Sequence, residues 1–368
     1  MRLPSGYFSP QWLYYNGRLW HHPTVRLHEG EVVYFSPESQ SIAEKVEGLL
    51  SPCWGNMHTH LELSHLRGGI GKGLGMIDFL ARMGLTRGQA SAAEIRAALT
   101  EAFQEGTCAF ISHQNSPLPP AAILEGTFVQ AVGEFFGLRK GGVRRWHAMR
   151  RLGYPLTPHS FYALSKVLLR RARRRSAYPL SIHFYESWEE RLWLDSGRGP
   201  FLRFFQHFVR RPHPVRWQTH LRRLHHRVPA IWLVHATEAP ATLMERLFQR
   251  FPRLYVILCP EANYHLFRRL PPLHFWQRYV HRLMLGTDSL ANSPSLSLWP
   301  VVRRLWMAGW RWESILRACV DTPRSWIKPS PFWTVVAPLG TQAEILPDTK
   351  SRLFLRDGDK NEEHSGSL

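Results

Sequence analysis

The chain has 368 residues, 44% of them hydrophobic, which is ample for a buried core and more than one minimal domain needs. Its 47 Lys and Arg against 28 Asp and Glu leave a net charge of +19, which raises nucleic acid as a partner. No segment approaches the roughly 18–20 consecutive apolar residues of a membrane span, so a soluble, cytoplasmic protein is expected.

Residues 1–50 hold short aromatic-rich runs at 12–15 and 32–35, separated by the turn signals Asn16-Gly17 and Glu29-Gly30. That pattern predicts a small β-unit. From residue 51 the texture changes. Apolar runs at 107–112, 127–136, 180–184, 230–235, 254–259 and 282–286 are each followed by a segment of helical periodicity. Strands alternating with helices imply a parallel sheet, and a repeat sustained over 51–325 favours a (β/α)8 barrel, whose usual size is roughly 250 residues. Residues 326–356 are Trp/Pro-rich and then strand-like, at 333–337 and 352–355, and are expected to rejoin residues 1–50 in a small β-sandwich domain; the charged tail 357–368 is expected to be disordered. Cys53, Cys108, Cys259 and Cys319 lie far apart with no CxxC, so reduced thiols are expected. The densest basic run, Arg170-Arg-Ala-Arg-Arg-Arg175, follows an amphipathic stretch and reads as the solvated end of a helix. No helix-turn-helix, RNP or zinc-finger pattern accompanies it, so nucleic acid is not expected as a partner.

In a barrel, catalytic groups sit at the C-terminal ends of several strands. The strand beginning near residue 53 ends at His58-Thr-His60, and residues two apart on a strand project to one face, so this pair is half a metal site. Later runs end at His183, with Glu186 three residues on, at His235, and at Gly286-Thr-Asp288-Ser289. Imidazoles combined with one carboxylate are the ligand chemistry of Zn²⁺ or Fe²⁺. Taken singly each has a structural reading: His183 and His235 as buried strand-end histidines, Glu186 as helix surface, Asp288 as a helix cap. A bound divalent ion lowers the pKa of its water from about 16 to about 7. Glu186 is placed to move protons beside it, His235 to orient the nucleophile, and Asp288 both to ligate and to hold a proton. Residues 68–75, Gly-Gly-Ile-Gly-Lys-Gly-Leu-Gly, fit neither phosphate-loop spacing and read as a loop over the barrel mouth. The His60-Leu-Glu62 resemblance to a cytidine-deaminase motif lacks its PCxxC. Phe161 and Trp188 are aromatic candidates for stacking on a ring.

The chain resembles the amidohydrolase superfamily, in the branch of the cytosine-, adenosine-type and aminodeoxyfutalosine deaminases and the atrazine-type chlorohydrolases. The matching residues are His58-Thr-His60, Pro158-His159-Ser-Phe-Tyr162-Ala-Leu-Ser165, His183-Phe-Tyr-Glu186, His235, Cys259-Pro260-Glu-Ala-Asn263 and Gly286-Thr-Asp288-Ser289, in the family's order over roughly 50–325. The resemblance implies His58, His60, His183 and Asp288 as metal ligands, and Glu186, His235 and Asp288 as catalytic groups. Glu62 and His159 are implied as substrate-binding. His60-Leu-Glu-Leu-Ser64 is particularly similar to the aminodeoxyfutalosine deaminases, in which the glutamate matching Glu62 helps hold the base. Departures are Cys53 in place of a glycine, Ser160-Phe161-Tyr162 in place of Ala-Pro-Tyr, and no Gly-Lys-x-Ala-Asp-Leu stretch near the C-terminus. No lysine ends the fourth strand, which argues for one ion, Zn²⁺ ahead of Fe²⁺, and not two. The expected function is deamination of an amino-substituted heterocycle, an adenine-type nucleoside such as aminodeoxyfutalosine, by metal-hydroxide attack. Hydrolysis of another C–N or C–Cl bond is the alternative, and a silent barrel binding nucleic acid or a protein partner is the reading from a different class. The expected partners are a small heterocycle and, in an oligomer, a second copy as homodimer.

Overall fold

The computed structural model describes residues 5–327, apart from 87, 140, 173 and 211, together with the backbone of 333–336. The strand expected at 352–355 and the tail from 357 lie outside the described residues.

The first strands are β1 (Gly6–Tyr15), β2 (Arg18–His21), β3 (Thr24–His28), β4 (Glu31–Ser36) and β5 (Glu44–Pro52). Asn16 and Gly17 join β1 to β2 with φ of 51° and 76°. Positive φ at both central residues is the hairpin turn that Asn-Gly favours, so the turn signal does what the sequence predicts. β1 pairs in parallel with β5, and Phe8, Leu13, Val25, Leu27 and Leu50 form this unit's own apolar core.

Eight further strands follow: β6 (Trp54–Thr59), β7 (Thr107–Gln114), β8 (Phe128–Phe135), β9 (Leu156–Pro158), β10 (Leu180–Phe184), β11 (Ile231–His235), β12 (Leu254–Leu258) and β13 (Leu283–Leu285). Every neighbouring pair is parallel, in the order β10-β11-β12-β13-β6-β7-β8-β9. An isolated parallel bridge, Ser160 to His183, lies between the end of β9 and β10. Parallel strands covered by helices are buried on both faces and so read as continuous apolar runs; every residue of β6, β7, β10 and β11 is buried. The intervening helices carry local start signals. Ser91 and Glu94 form a reciprocal capping box at the head of helix Ala92–Gln104. The last strand among the described residues, β14 (Trp333–Val336), returns to the first sheet and pairs antiparallel with β5, giving the order β14-β5-β1-β3-β4 with β2 on β1. No helix among the described residues is long and apolar enough to cross a membrane.

The expectation of four reduced cysteines is corrected here. Cys53 and Cys108 are joined in a disulfide, Cα to Cα 5.8 Å, while Cys259 and Cys319 are free and buried. Their sequence separation of 55 hid the adjacency, because it arises from parallel pairing of Trp54 with Thr107 and not from local spacing. Protein denatured without reductant should therefore titrate two thiols, and four after reduction. Four thiols before reduction would remove the cross-link.

Candidate active site

The C-terminal ends of the parallel strands converge on one cluster of buried imidazoles and carboxylates. His58 on β6 and His60 just beyond it lie with ring centroids 5.1 Å apart, as the strand alternation predicts. The His183 ring at the end of β10 is 4.7 Å from that of His58, and His235 at the end of β11 is 5.1 Å from His183. Asp288 follows β13 and aims Oδ1 at His60 Nε2, 3.5 Å, and His58 Nε2, 3.8 Å. Its backbone N–H donates to the His58 carbonyl, and its Oδ2 accepts from Asn292. Close approach of the two strands depends on Gly286, where a Cβ would sit 2.9 Å from both the Cβ and the carbonyl oxygen of His58.

Ligand-type atoms within 4.8 Å of one another form four overlapping groups among the described residues: His58/His183/His235, His58/His60/Asp288, His60/Glu134/His183 and Glu186/His235/Asp288. All of these side chains are buried, and neither ring nitrogen of His58 has a hydrogen-bond partner. Burial, reinforced by the neighbouring histidines, pulls the imidazoles of His58 and His183 well below their usual range, so they are neutral and available as ligands. Burial also lowers His60, but the Glu62 carboxylate beside it more than offsets this and holds it at about 9. Buried neutral imidazoles, orphaned ring nitrogens and a carboxylate among them fit a divalent metal ion.

Supporting contacts orient these groups. His183 Nδ1 lies 2.9 Å from the His159 carbonyl, which leaves Nε2 to face the cluster, and its ring stacks on that of His159 at 4.2 Å. Asn263 Nδ2 sits 3.2 Å from His235 Nδ1, so the His235 proton resides on Nε2, 3.6 Å from Glu186 Oε1. Glu186 is buried, and burial first, then the Asp288 and Glu190 carboxylates, push its carboxyl well above the usual range. His235, Ala236 and Asp288 hold φ of 71°, 50° and 64°, a left-handed conformation uncommon for residues other than glycine.

A pocket of about 510 Å³ opens on the cluster, with His60, Glu134, His159, His183, Glu186 and Asp288 at its polar end. Met76, Phe79, Leu80, Phe136, Phe204 and Phe208 supply its apolar walls, the first three from helix Gly75–Thr86, which follows the glycine-rich residues 68–75. The structure brings His58, His60, His159, His183, Glu186, His235 and Asp288 together around this cluster, and places three other expected residues outside the pocket. Glu62 does not line the pocket; its Oε1 lies 3.6 Å from His60 Nδ1. Phe161 is packed against Phe184 and Trp217 and Trp188 is half exposed, so neither lines the pocket; the phenylalanines that do are Phe79, Phe136, Phe204, Phe205 and Phe208.

Sequence reading missed three polar residues. His113 near the end of β7 has its ring 4.3 Å from that of His58. Glu134 on β8 has Oε1 3.7 Å from His183 Nδ1. Asn115 spans Glu62 and Glu134, at 3.4 and 3.3 Å. The rule of reading strand ends reaches His113 and Glu134 once β7 is carried past Ser112 and the inside of β8 is inspected for carboxylates.

No family model matches the chain. An aminodeoxyfutalosine deaminase from a Nitratiruptor species is 36% identical over 72 residues, 19% of this chain and 18% of that protein. An adenosine deaminase from Helicobacter pylori is 23% identical over 282 residues, 68% of this chain and 66% of that protein. The chain thus matches less than two thirds of each relative's length. The structure of Helicobacter pylori aminofutalosine deaminase with methylthio-coformycin shares the fold at TM-score 0.69 and 18% identity, covering 87% of both chains. A zinc-bound adenosine deaminase from Xanthomonas campestris gives 0.60 at 18% identity, covering 87% of this chain and 79% of that one. Atrazine chlorohydrolase from Arthrobacter aurescens, complexed with zinc, gives 0.62 at 16% identity, covering 90% and 84%. These likenesses show that the chain shares the fold of the aminofutalosine deaminase, adenosine deaminase and triazine hydrolase structures.

Proposed function

We propose that the protein is a metal-dependent hydrolase that deaminates an adenine-type heterocycle within a nucleoside, such as aminodeoxyfutalosine. The observation that carries this is Glu186, its carboxyl pushed up by burial, grouped with His235 and Asp288 at the polar end of a pocket with apolar walls. In this reading the parallel sheet closes as a (β/α)8 barrel over 51–325, with 1–50 and 326–356 as the accessory β-sandwich, and the protein works in the cytoplasm. His58, His60, His183 and Asp288 would hold one ion, Zn²⁺ ahead of Fe²⁺, which when bound supplies a Lewis acid and an acidified water.

The chain's own groups then do the proton work. Glu186 donates its proton to the ring nitrogen beside the amino-bearing carbon, making that carbon electrophilic, and takes a proton from the attacking water. His235 offers Nε2–H to the attacking oxygen and fixes its direction. Asp288 holds the second water proton, which leaves with the amino group as ammonia, so water and amine are exchanged for carbonyl and ammonia. Glu62 sits behind His60 and orients it, while Glu134, Asn115 and His159 are offered to the ring and sugar. Arg145, stacked 3.9 Å over Phe136, and Arg139 sit at the pocket's edge and suit a substituent that combines an apolar body with negative charge.

Likeness to the triazine hydrolases favours one second reading, hydrolysis of a C–Cl bond at the same site. Ammonia release from a panel of aminopurine nucleosides, against chloride release from chlorotriazines, separates the two. Ammonia from an adenine-type nucleoside is the expected result; chloride release with no ammonia from any aminopurine would overturn it.

A further inference from the structure

The net charge of this chain is segregated. Residues 135–185 contain twelve Lys and Arg and no Asp or Glu, and residues 196–237 contain eight more, again with no acid. Together they carry +20 against +19 for the whole chain, so the remaining sequence is close to neutral. Eighteen of the twenty are arginine. A uniform compositional habit would spread the charge.

The fold gathers these stretches. Helices Gly141–Arg151, Lys166–Ala172 and Trp217–His225 contain no acidic residue, and Arg150, Arg171 and Arg174 all approach the Trp146 ring. Beside them Arg170, Arg174, Arg223, His226 and Arg227 line a concavity of about 600 Å³. The turns bearing Arg174 and Arg227 are tied together, since the Ser176 N–H donates to the Arg227 carbonyl at 3.1 Å. Among the described residues no carboxylate pairs with Arg170, Arg174, Arg223 or Arg227; charged pairs lie elsewhere, as at Arg67–Glu101 and Arg269–Glu238. Four guanidinium groups around one hollow repel one another unless an anion sits between them.

The concavity is not the catalytic pocket. Arg174 and Arg227 precede β10 and β11, whereas His183 and His235 end those strands, so one strand length, roughly 17 Å for five residues, separates the two sites. We propose that this hollow is a binding site for a small polyphosphate anion. Guanidinium forks match phosphate oxygens two at a time, and the lining is basic with no apolar side chain to enter a lipid layer. Its volume suits a compact anion rather than the track of an extended polymer.

The test is titration calorimetry of the metal-loaded protein with inorganic tripolyphosphate, at 50 and 200 mM salt, together with the double variant R174A/R223A. The expected result is one anion per chain, weaker at the higher salt, a raised melting temperature as for any ligand of the native state, and at least tenfold weaker binding by the variant with deamination unchanged. Both side chains are exposed, so the variant should fold. Equal binding by both proteins would assign the anion to the metal centre and overturn the proposal, as would no binding by the wild type. Binding of an RNA 20-mer or acidic vesicles without binding of tripolyphosphate would also overturn it, making this face a macromolecular surface.

Discussion

Glu186→Gln is expected to lower turnover of a deaminated substrate by roughly 10²- to 10⁴-fold while metal content stays unchanged. The amide keeps the shape of the side chain and its place 3.6 Å from His235 Nε2, but it cannot release or regain a proton. The backbone N–H of residue 186, which donates to Glu190, is untouched, so the loop geometry should persist. Steady-state kinetics with metal analysis on the same preparation reads both quantities. Near-wild-type turnover would remove Glu186 from the mechanism; loss of metal would show that it acts as a ligand.

Asp288→Ala and His58→Ala should each take the protein from about one divalent ion per chain to well below that. Asp288 points one oxygen at both His58 and His60, so its removal takes a ligand and also unpairs the Asn292 Nδ2 donor. His58 is the more central, with His60, His113, His183 and His235 all ringed around it. Elemental analysis of protein prepared without chelator decides the matter. Full metal in both variants would refute the ligand set, and a wild type that carries none would do the same.

The parts of this site that were legible in sequence are those written within one strand end. His58 and His60 lie two apart on β6, and Glu186 lies three beyond His183, so each pair declares its geometry locally. Gly286-Thr-Asp288 is legible for a similar reason, since the glycine is required where Asp288 crosses His58. Glu134, Asn115 and His113 are different. Their meaning comes from meeting Glu62, His183 and His58 across strands, and the strand-end rule reaches His113 and Glu134 only when β7 is carried past Ser112 and the inside of β8 is searched. The bridge from Cys53 to Cys108 was hidden in the same way, and so was the basic hollow. The run at 170–175 looks like an ordinary helix end until residues 223–227 are folded against it. Composition and periodicity predicted the alternation of strands and helices because parallel strands buried on both faces leave unbroken apolar runs.

β5 carries one further consequence, for how the protein is made. Its outer edge is covered by β14, which pairs Trp333 with Pro52 across nearly the whole intervening chain. A ribosome adding 5–20 residues per second delivers that covering strand roughly 15–60 s after β5 has emerged. Throughout that interval the N-terminal sheet stands with an open hydrogen-bonding edge beside a growing, unfinished neighbour, the condition in which strands pair with the wrong chain. The nascent chain should therefore be most prone to aggregate, and most in need of a chaperone, just before residues 333–336 are released.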